Sequence, residues 1–156
     1  MAIRLTHESR SALSRARFFL NKAKACPIDE RVDFEAFVEA AIVFGRAAIH
    51  RKKTQYKGQP AWKAWWDSLL GDPAVDFFRS ERDRILKESS ARLGQKIFVP
   101  SIGSTEPSNP PKYAAEFYYF DDPQVPATDT IEQQLNNLSD RLEESERQFF
   151  GKYIAG

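Results

Sequence analysis

Residues 72–88 constrain this 156-residue chain more than any other stretch. Asp72 offers a side-chain oxygen to the free N–H groups of a first helical turn, and Pro73 stands where a missing N–H costs nothing. Val75, Phe78, Ile85 and Leu86 follow. At helical spacing the stripe runs through 75, 78, 82, 85 and 89, which puts Arg82 on the face that carries the phenylalanine and the isoleucine. Burying an unpaired guanidinium is very costly. Arg82 must therefore pair with a carboxylate on a neighbouring helix or line a cleft, and from the residues alone the ion pair is the commoner outcome.

The flanking segments carry the same periodicity. Residues 5–25 read as a helix with Leu5, Ala12, Ala16, Phe19, Leu20 and Ala23 in one stripe. Arg10, Arg15, Arg17, Lys22 and Lys24 lie mostly off it, as a solvated face. Cys26-Pro27 ends the helix, because the residue before proline is pushed out of the α region. Residues 29–56 form the longest helix, with Asp29 or Asp33 as cap and Phe34, Phe37, Val38, Ala41, Phe44, Gly45, Ala48 and Ile49 on the core face. Gly45 costs roughly 1 kcal/mol against alanine inside a helix, so its expected benefit is the close approach of another helix. His50, past the end of the stripe, reads as a structural or helix-dipole residue. Arg51, Lys52, Lys53 and Lys57 favour a C-terminus, and Gly58 and Pro60 stop the helix. Residues 60–70 form a short helix whose Trp62, Trp65, Trp66, Leu69 and Leu70 pack as a lid across the bundle, and Gly71 closes it.

Composition changes at Gly94. Residues 96–99 and 116–120 read as two strands joined by a proline-, glycine- and serine-rich loop over 101–112. A lone hairpin, here about 95–120, is marginal in water and must pack on the bundle. After a linker, residues 129–150 form the last helix. Asp129 and Glu132 are spaced as a capping box, and Ile131, Leu135, Leu138, Leu142 and Phe149 form a seam broken by Ser145 and Glu146. Gly151 is a good stop. The expected fold is a mainly α bundle of four to five helices, about 5–93 and 129–150, with a small β-hairpin before the C-terminal helix, all in a single domain over 1–156.

Net charge is +1, so no field spans the whole molecule to attract a polyanion, and contact with nucleic acid needs a local basic patch. Cys26 is the only cysteine, which excludes an internal disulfide and a cysteine metal cluster and suits a reducing cytoplasm. No apolar run approaches the ~20 residues that cross a bilayer. The sequence holds no phosphate loop, nucleophile elbow, HExxH or metal-ligand cluster, so neither a metal nor a cofactor is expected.

Phe77-Phe78-Arg79-Ser80-Glu81-Arg82-Asp83-Arg84-Ile85-Leu86-Lys87-Glu88 resembles the motif helix of HEPN domains, small helical bundles that include many ribonucleases of stress and defence systems. Their motif is an arginine, usually with a small polar residue after it, and a histidine four to six residues on. Arg82 and Asp83 match the first part, and Lys87 occupies the histidine position. Arg17 to Leu20, the run Ala40-Ala41-Ile42-Val43-Phe44-Gly45 and Phe120-Asp121-Asp122 before a last helix look like uncharacterised bacterial relatives of that group. The resemblance implies a metal-free site, commonly formed in a dimer, in which the arginine steadies phosphate charge and the histidine moves protons. On this basis Arg79, Arg82, Asp83, Arg84 and Lys87 are the expected binding residues, with Arg82 and Lys87 the candidates for catalysis. A lysine with a reference pKa of ~10.4 is a poor general base, and neither His7 nor His50 is assigned as its replacement by spacing. The expected function is therefore a non-catalytic HEPN-like binding or interaction module. It is expected to be homodimeric, to have an RNA or protein partner, and to have no membrane association. The alternatives are a metal-independent endoribonuclease with another proton-transfer group and a structural protein with Arg82 in an internal ion pair.

Overall fold

The structure, a computed structural model, describes residues 2–27, 29–88, 91–96 and 118–152; of residues 2–11 and 88 it describes the backbone alone. Five helices run through these residues: α1 (Ala2–Ala25), α2 (Arg31–Tyr56), α3 (Trp62–Leu69), α4 (Pro73–Glu88) and α5 (Ala127–Phe150). Two short strands, β1 (Gly94–Gln95) and β2 (Tyr118–Tyr119), pair antiparallel, with Gly94 opposite Tyr119 and Gln95 opposite Tyr118. The chain is thus a mainly α bundle with a small hairpin before its last helix.

α2 is the central element, and its most extensive packing is against α1. Phe34, Val38, Ala41, Ile42, Ala48 and Ile49 are buried, as are Ala12, Leu13, Ala16, Leu20 and Ala23 of α1. The alanines on both sides let the two backbones approach. The expected cap is corrected. Glu30 occupies the N-cap of α2 with no side-chain cap bond, and Asp33 sits inside the first turn, where its charge favours the helix dipole. Phe34 N–H closes that turn on the Glu30 carbonyl at 3.0 Å.

Gly45 does bring another helix close. A Cβ there would fall 2.6 Å from the ring of Phe78 on α4, so only glycine admits that ring. Further along, the Glu39 carboxylate accepts the Ala91 N–H at 3.2 Å. The order of these two contacts is reversed between the chains, so α2 and α4 run antiparallel.

α4 starts as its sequence dictates. Asp72 Oδ1 accepts the N–H groups of Ala74 at 3.0 Å and Val75 at 3.2 Å. Its buried residues are Ala74, Val75, Phe78 and Glu81. The buried face is therefore turned from the expected one: Glu81 lies inside, and Arg82 lies on the rim with its side chain 43% exposed. Arg82 is not the internal ion pair. Its carboxylate partner is the adjacent, half-exposed Asp83, at 3.2 Å.

The ladder begins earlier than the apolar run at 96–99 suggests, because Gly94 lets the Tyr119 ring lie where a Cβ would be only 2.5 Å away. Lys96 is outside the ladder, and the remainder of the expected strands and loop, residues 97–117, lies outside the described residues. The hairpin does pack on the bundle: Tyr118 stacks on Phe34 at 4.6 Å and Phe120 meets Phe77 edge-on at 5.4 Å.

α5 begins two residues before Asp129, which corrects the expected capping box. Pro126 takes the N-cap position without a side-chain bond, and its carbonyl accepts the N–H groups of Asp129 and Thr130. Burial of Ala127 and Thr128 draws the helix start forward, and Glu132 pairs with Lys24 of α1 at 2.6 Å instead of capping. Ile131, Leu135, Leu138 and Leu142 are buried as expected. Ser145 and Glu146 do not break the seam, since both are fully buried. Ser145 Oγ accepts the Trp65 indole N–H at 3.0 Å, which ties down the α3 lid. Glu146 receives Lys52 Nζ at 2.8 and 3.1 Å and the Tyr56 hydroxyl. Lys52 is therefore a core residue and not part of a solvated helix C-terminus.

Candidate functional site

One face of α2 repeats as Val43, Arg46, Ala47 and His50, at intervals of three, one and three. That spacing aligns them along the helix on one side. The core-facing residues lie on the other side, against α1 and α5. α4 crosses beside this stripe and contributes Arg82. These five residues line an open cleft of about 340 Å³. Val43 is 38% exposed and His50 is exposed, so the cleft opens to solvent between the two helices.

The cleft is electropositive. Arg46 is half-buried, and burial is the largest influence lowering its pKa from the ordinary guanidinium value; Asp83 opposes this, and Arg82 and Arg79 add to it. Three guanidiniums and one carboxylate thus act on one another within a small volume. Arginine stays protonated in proteins, so Arg46 is held charged where water is restricted. An anion entering the cleft relieves that cost and meets forked donors suited to phosphate or carboxylate oxygens.

The sequence-predicted residues divide around the helix axis. Arg82 lines the cleft, and Arg79 and Asp83 flank it closely enough to act on Arg46. Arg79 also donates to Asp76 at 3.2 Å. Arg84 and Lys87 lie about 200° and 140° round α4 from Arg82 at 100° per residue. Arg84 acts instead on the buried Glu81, together with Arg92. Lys87 is exposed and is not among the lining residues, so the motif's histidine position does not point into this cleft. His50, on a different helix, does line it.

Sequence reasoning missed Arg46 and did not place His50. The signal was present as the second periodic face of α2, where 43, 46, 47 and 50 recur opposite the apolar stripe. Lys52, Tyr56 and Glu146 were missed too. Lys52 and Tyr56 extend the buried stripe of α2 by one and two turns, and Glu146 continues the seam of α5.

The Lys52–Glu146 cluster is a second constellation of titratable groups. Burial pushes the Glu146 carboxyl up and the Lys52 ammonium down, and each is opposed by the charge of the other. Both side chains are 0% exposed, and the carboxylate accepts three hydrogen bonds. It is a saturated strut between α2 and α5 rather than a reactive site. Glu81 differs. It is buried, one carboxylate oxygen has no hydrogen-bond partner, and burial raises its pKa.

Among the described residues, no group of three or more His, Cys, Asp or Glu is placed to hold a metal ion, and no helix is long and apolar enough to cross a membrane. Comparison of the chain with protein-family models, with curated proteins and with solved structures finds no match.

Proposed function

We propose that this chain is a non-catalytic HEPN-like binding module that receives a phosphate-bearing ligand, RNA included, in the cleft between α2 and α4. One observation carries the proposal: Arg46 and His50 of α2 share a single concave site with Arg82 of α4. Two guanidiniums and an imidazole converging on one open pocket suit an oxyanion. The half-buried Arg46, crowded by like charges, gives that pocket a reason to prefer being filled.

The non-catalytic reading rests on proton accounting. Metal-free cleavage of RNA needs one group to take the 2′-hydroxyl proton and another to protonate the leaving oxygen. The cleft's lining holds one side chain that titrates near neutrality, His50. Its only close carboxylate, Asp83, is engaged by Arg82. The test is incubation of the purified protein with structured and single-stranded RNAs in EDTA, beside Arg82→Ala, with binding measured on the same samples. Binding that falls in a folded Arg82→Ala protein, with cleavage in neither, is the expected result. Cleavage by the parent that disappears in the variant overturns it.

A second reading, a metal-independent endoribonuclease, is favoured by the presence of His50 in the same cleft as Arg82. It requires a second proton-transfer group, which a second copy of the chain would supply. A homodimer belongs to the proposal for a further reason: Phe18, Val43 and Leu86 are large apolar side chains left exposed. Light scattering that gives the mass of one chain at the concentrations used for binding counts against the dimer.

A further inference from the structure

We propose that His50 makes this cleft a proton-gated receptor for a compact phosphate monoester. The inference rests on the anion-binding reading above and specifies its ligand and its control.

Size and charge select the ligand. The concavity of about 340 Å³ lies at the small end of the range that holds single small molecules. Outside it the molecule has no field to guide a long polyanion, since 23 lysines and arginines are set against 22 aspartates and glutamates. Positive charge is local to one pocket, which fits one terminal phosphate better than a backbone of many diesters. Val43 and Ala47 give the pocket an apolar wall, against which the rest of a small ligand can rest.

Local charge supplies the gate. Within the described residues the cleft is lined from α2 and α4 alone. The charged groups around the imidazole are Arg46 one turn earlier on α2 and, from α4, Arg82, with Arg79 and Asp83 beside them. Arg79 is paired with Asp76 and Arg82 with Asp83. Three guanidiniums against two carboxylates leave one net positive charge, which balances a diester. A protonated His50 adds a second positive charge and a further N–H donor. The cleft then balances a dianion, and a phosphate monoester carries about −1.5 to −2 at neutral pH. Imidazole is the side chain whose charge ordinarily changes between about pH 5 and 8, so the matched state is reached as pH falls through that range.

The two charges titrate in opposite senses. A monoester loses its second negative charge below about pH 6, while the imidazole gains its proton in the same region. Affinity for a monoester should therefore peak near about pH 6 to 6.5. Affinity for a dianion that does not titrate there should rise steadily toward low pH.

The experiment is calorimetric titration of the full chain with sulfate, adenosine 5′-monophosphate and an adenylyl dinucleotide lacking a terminal phosphate, at about pH 5.5, 6.5 and 8.5. Sulfate keeps its charge throughout and isolates the imidazole. The expected result is sulfate binding about fivefold tighter at the lowest pH than at the highest, the effect of one added unit charge near the surface. The monophosphate should show a maximum between, and the dinucleotide should bind more weakly than the monophosphate. His50→Gln should retain weak binding with no pH dependence for sulfate. Arg82→Gln and Arg46→Gln should abolish binding; circular dichroism verifies their folds, and the exposed Arg82 carries the test if Arg46→Gln unfolds. Oligonucleotides with and without a 5′-phosphate separate a free nucleotide from an RNA end as the source of the group.

Sulfate affinity that does not change with pH, or a pH dependence that survives His50→Gln, overturns the gate and leaves the anion site standing. A dinucleotide bound as tightly as the monophosphate overturns the ligand class. No binding of any probe, or binding unaffected by loss of Arg82, overturns both the gate and the anion site.

Discussion

Two neighbouring positions on α2, His50 and Lys52, show how differently one basic run can be used. His50 is exposed and lines the open cleft toward α4. Lys52 is completely buried and held by Glu146 of α5. Lys53 turns a third way and lies over the Trp66 ring at 4.5 Å. Each step rotates the side chain by about 100°, so adjacent residues face different neighbours. Toward α5 the neighbour closes over the charge and supplies a carboxylate. Toward α4 a gap remains, and the charges stay wet and available. A buried charge is held by the cost of uncovering it alone, whereas a solvated one contributes little to folding and is free to serve a ligand.

The largest test of that contrast is Glu146→Ala. It leaves the Lys52 ammonium without its carboxylate in the core and should cost about 3–5 kcal/mol in chemical denaturation. Replacing both partners, Lys52→Met with Glu146→Leu, should bring stability back to within about 1 kcal/mol of the parent or above it. A single variant that loses less than about 1 kcal/mol would show that the α5 side is not closed.

Glu81 sharpens the comparison with an intermediate case, a buried carboxylate near Arg92 at 3.9 Å and short of one hydrogen bond. Burial raises its folded-state pKa above the ordinary 4.5. Its contribution to stability is therefore present below that value and is lost as pH rises through the raised one. Glu81→Gln should match the parent at low pH and become progressively more stable toward neutrality, by about 1 kcal/mol. Denaturation midpoints across this range test it, and a difference that stays flat with pH would remove the effect.

The smallest effect on stability belongs to the open side. Arg82→Gln should shift unfolding by no more than about 0.5 kcal/mol, because its pair with Asp83 is half-exposed. The same variant should lose most anion binding. A stability loss beyond about 1 kcal/mol would make Arg82 part of the frame and erase the distinction between the two regions.

Sequence alone determined what is carried within a few residues. The Asp72–Pro73 start, the stop at Gly151 with its left-handed φ of 67°, the core stripe of α2 and the seam of α5 were all legible, because capping and periodicity act over one or two turns. Even Gly45 announced a close approach, though not that Phe78 would make it. The weaker local signals failed where tertiary burial opposed them. Ala127 and Thr128 pulled the start of α5 past its capping box, and Gly94 with Tyr119 moved the strand pairing earlier. The rotation of each helix about its own axis was decided only by tertiary packing. The Phe78 ring seated on Gly45 helps fix how α4 faces α2, and that rotation turns Glu81 inward and leaves Arg82 on the rim beside Arg46 and His50. Lys52 and Glu146, 94 positions apart, meet for the same reason. Periodicity reports which residues share a face, but what that face meets depends on the shapes of side chains distant in the chain.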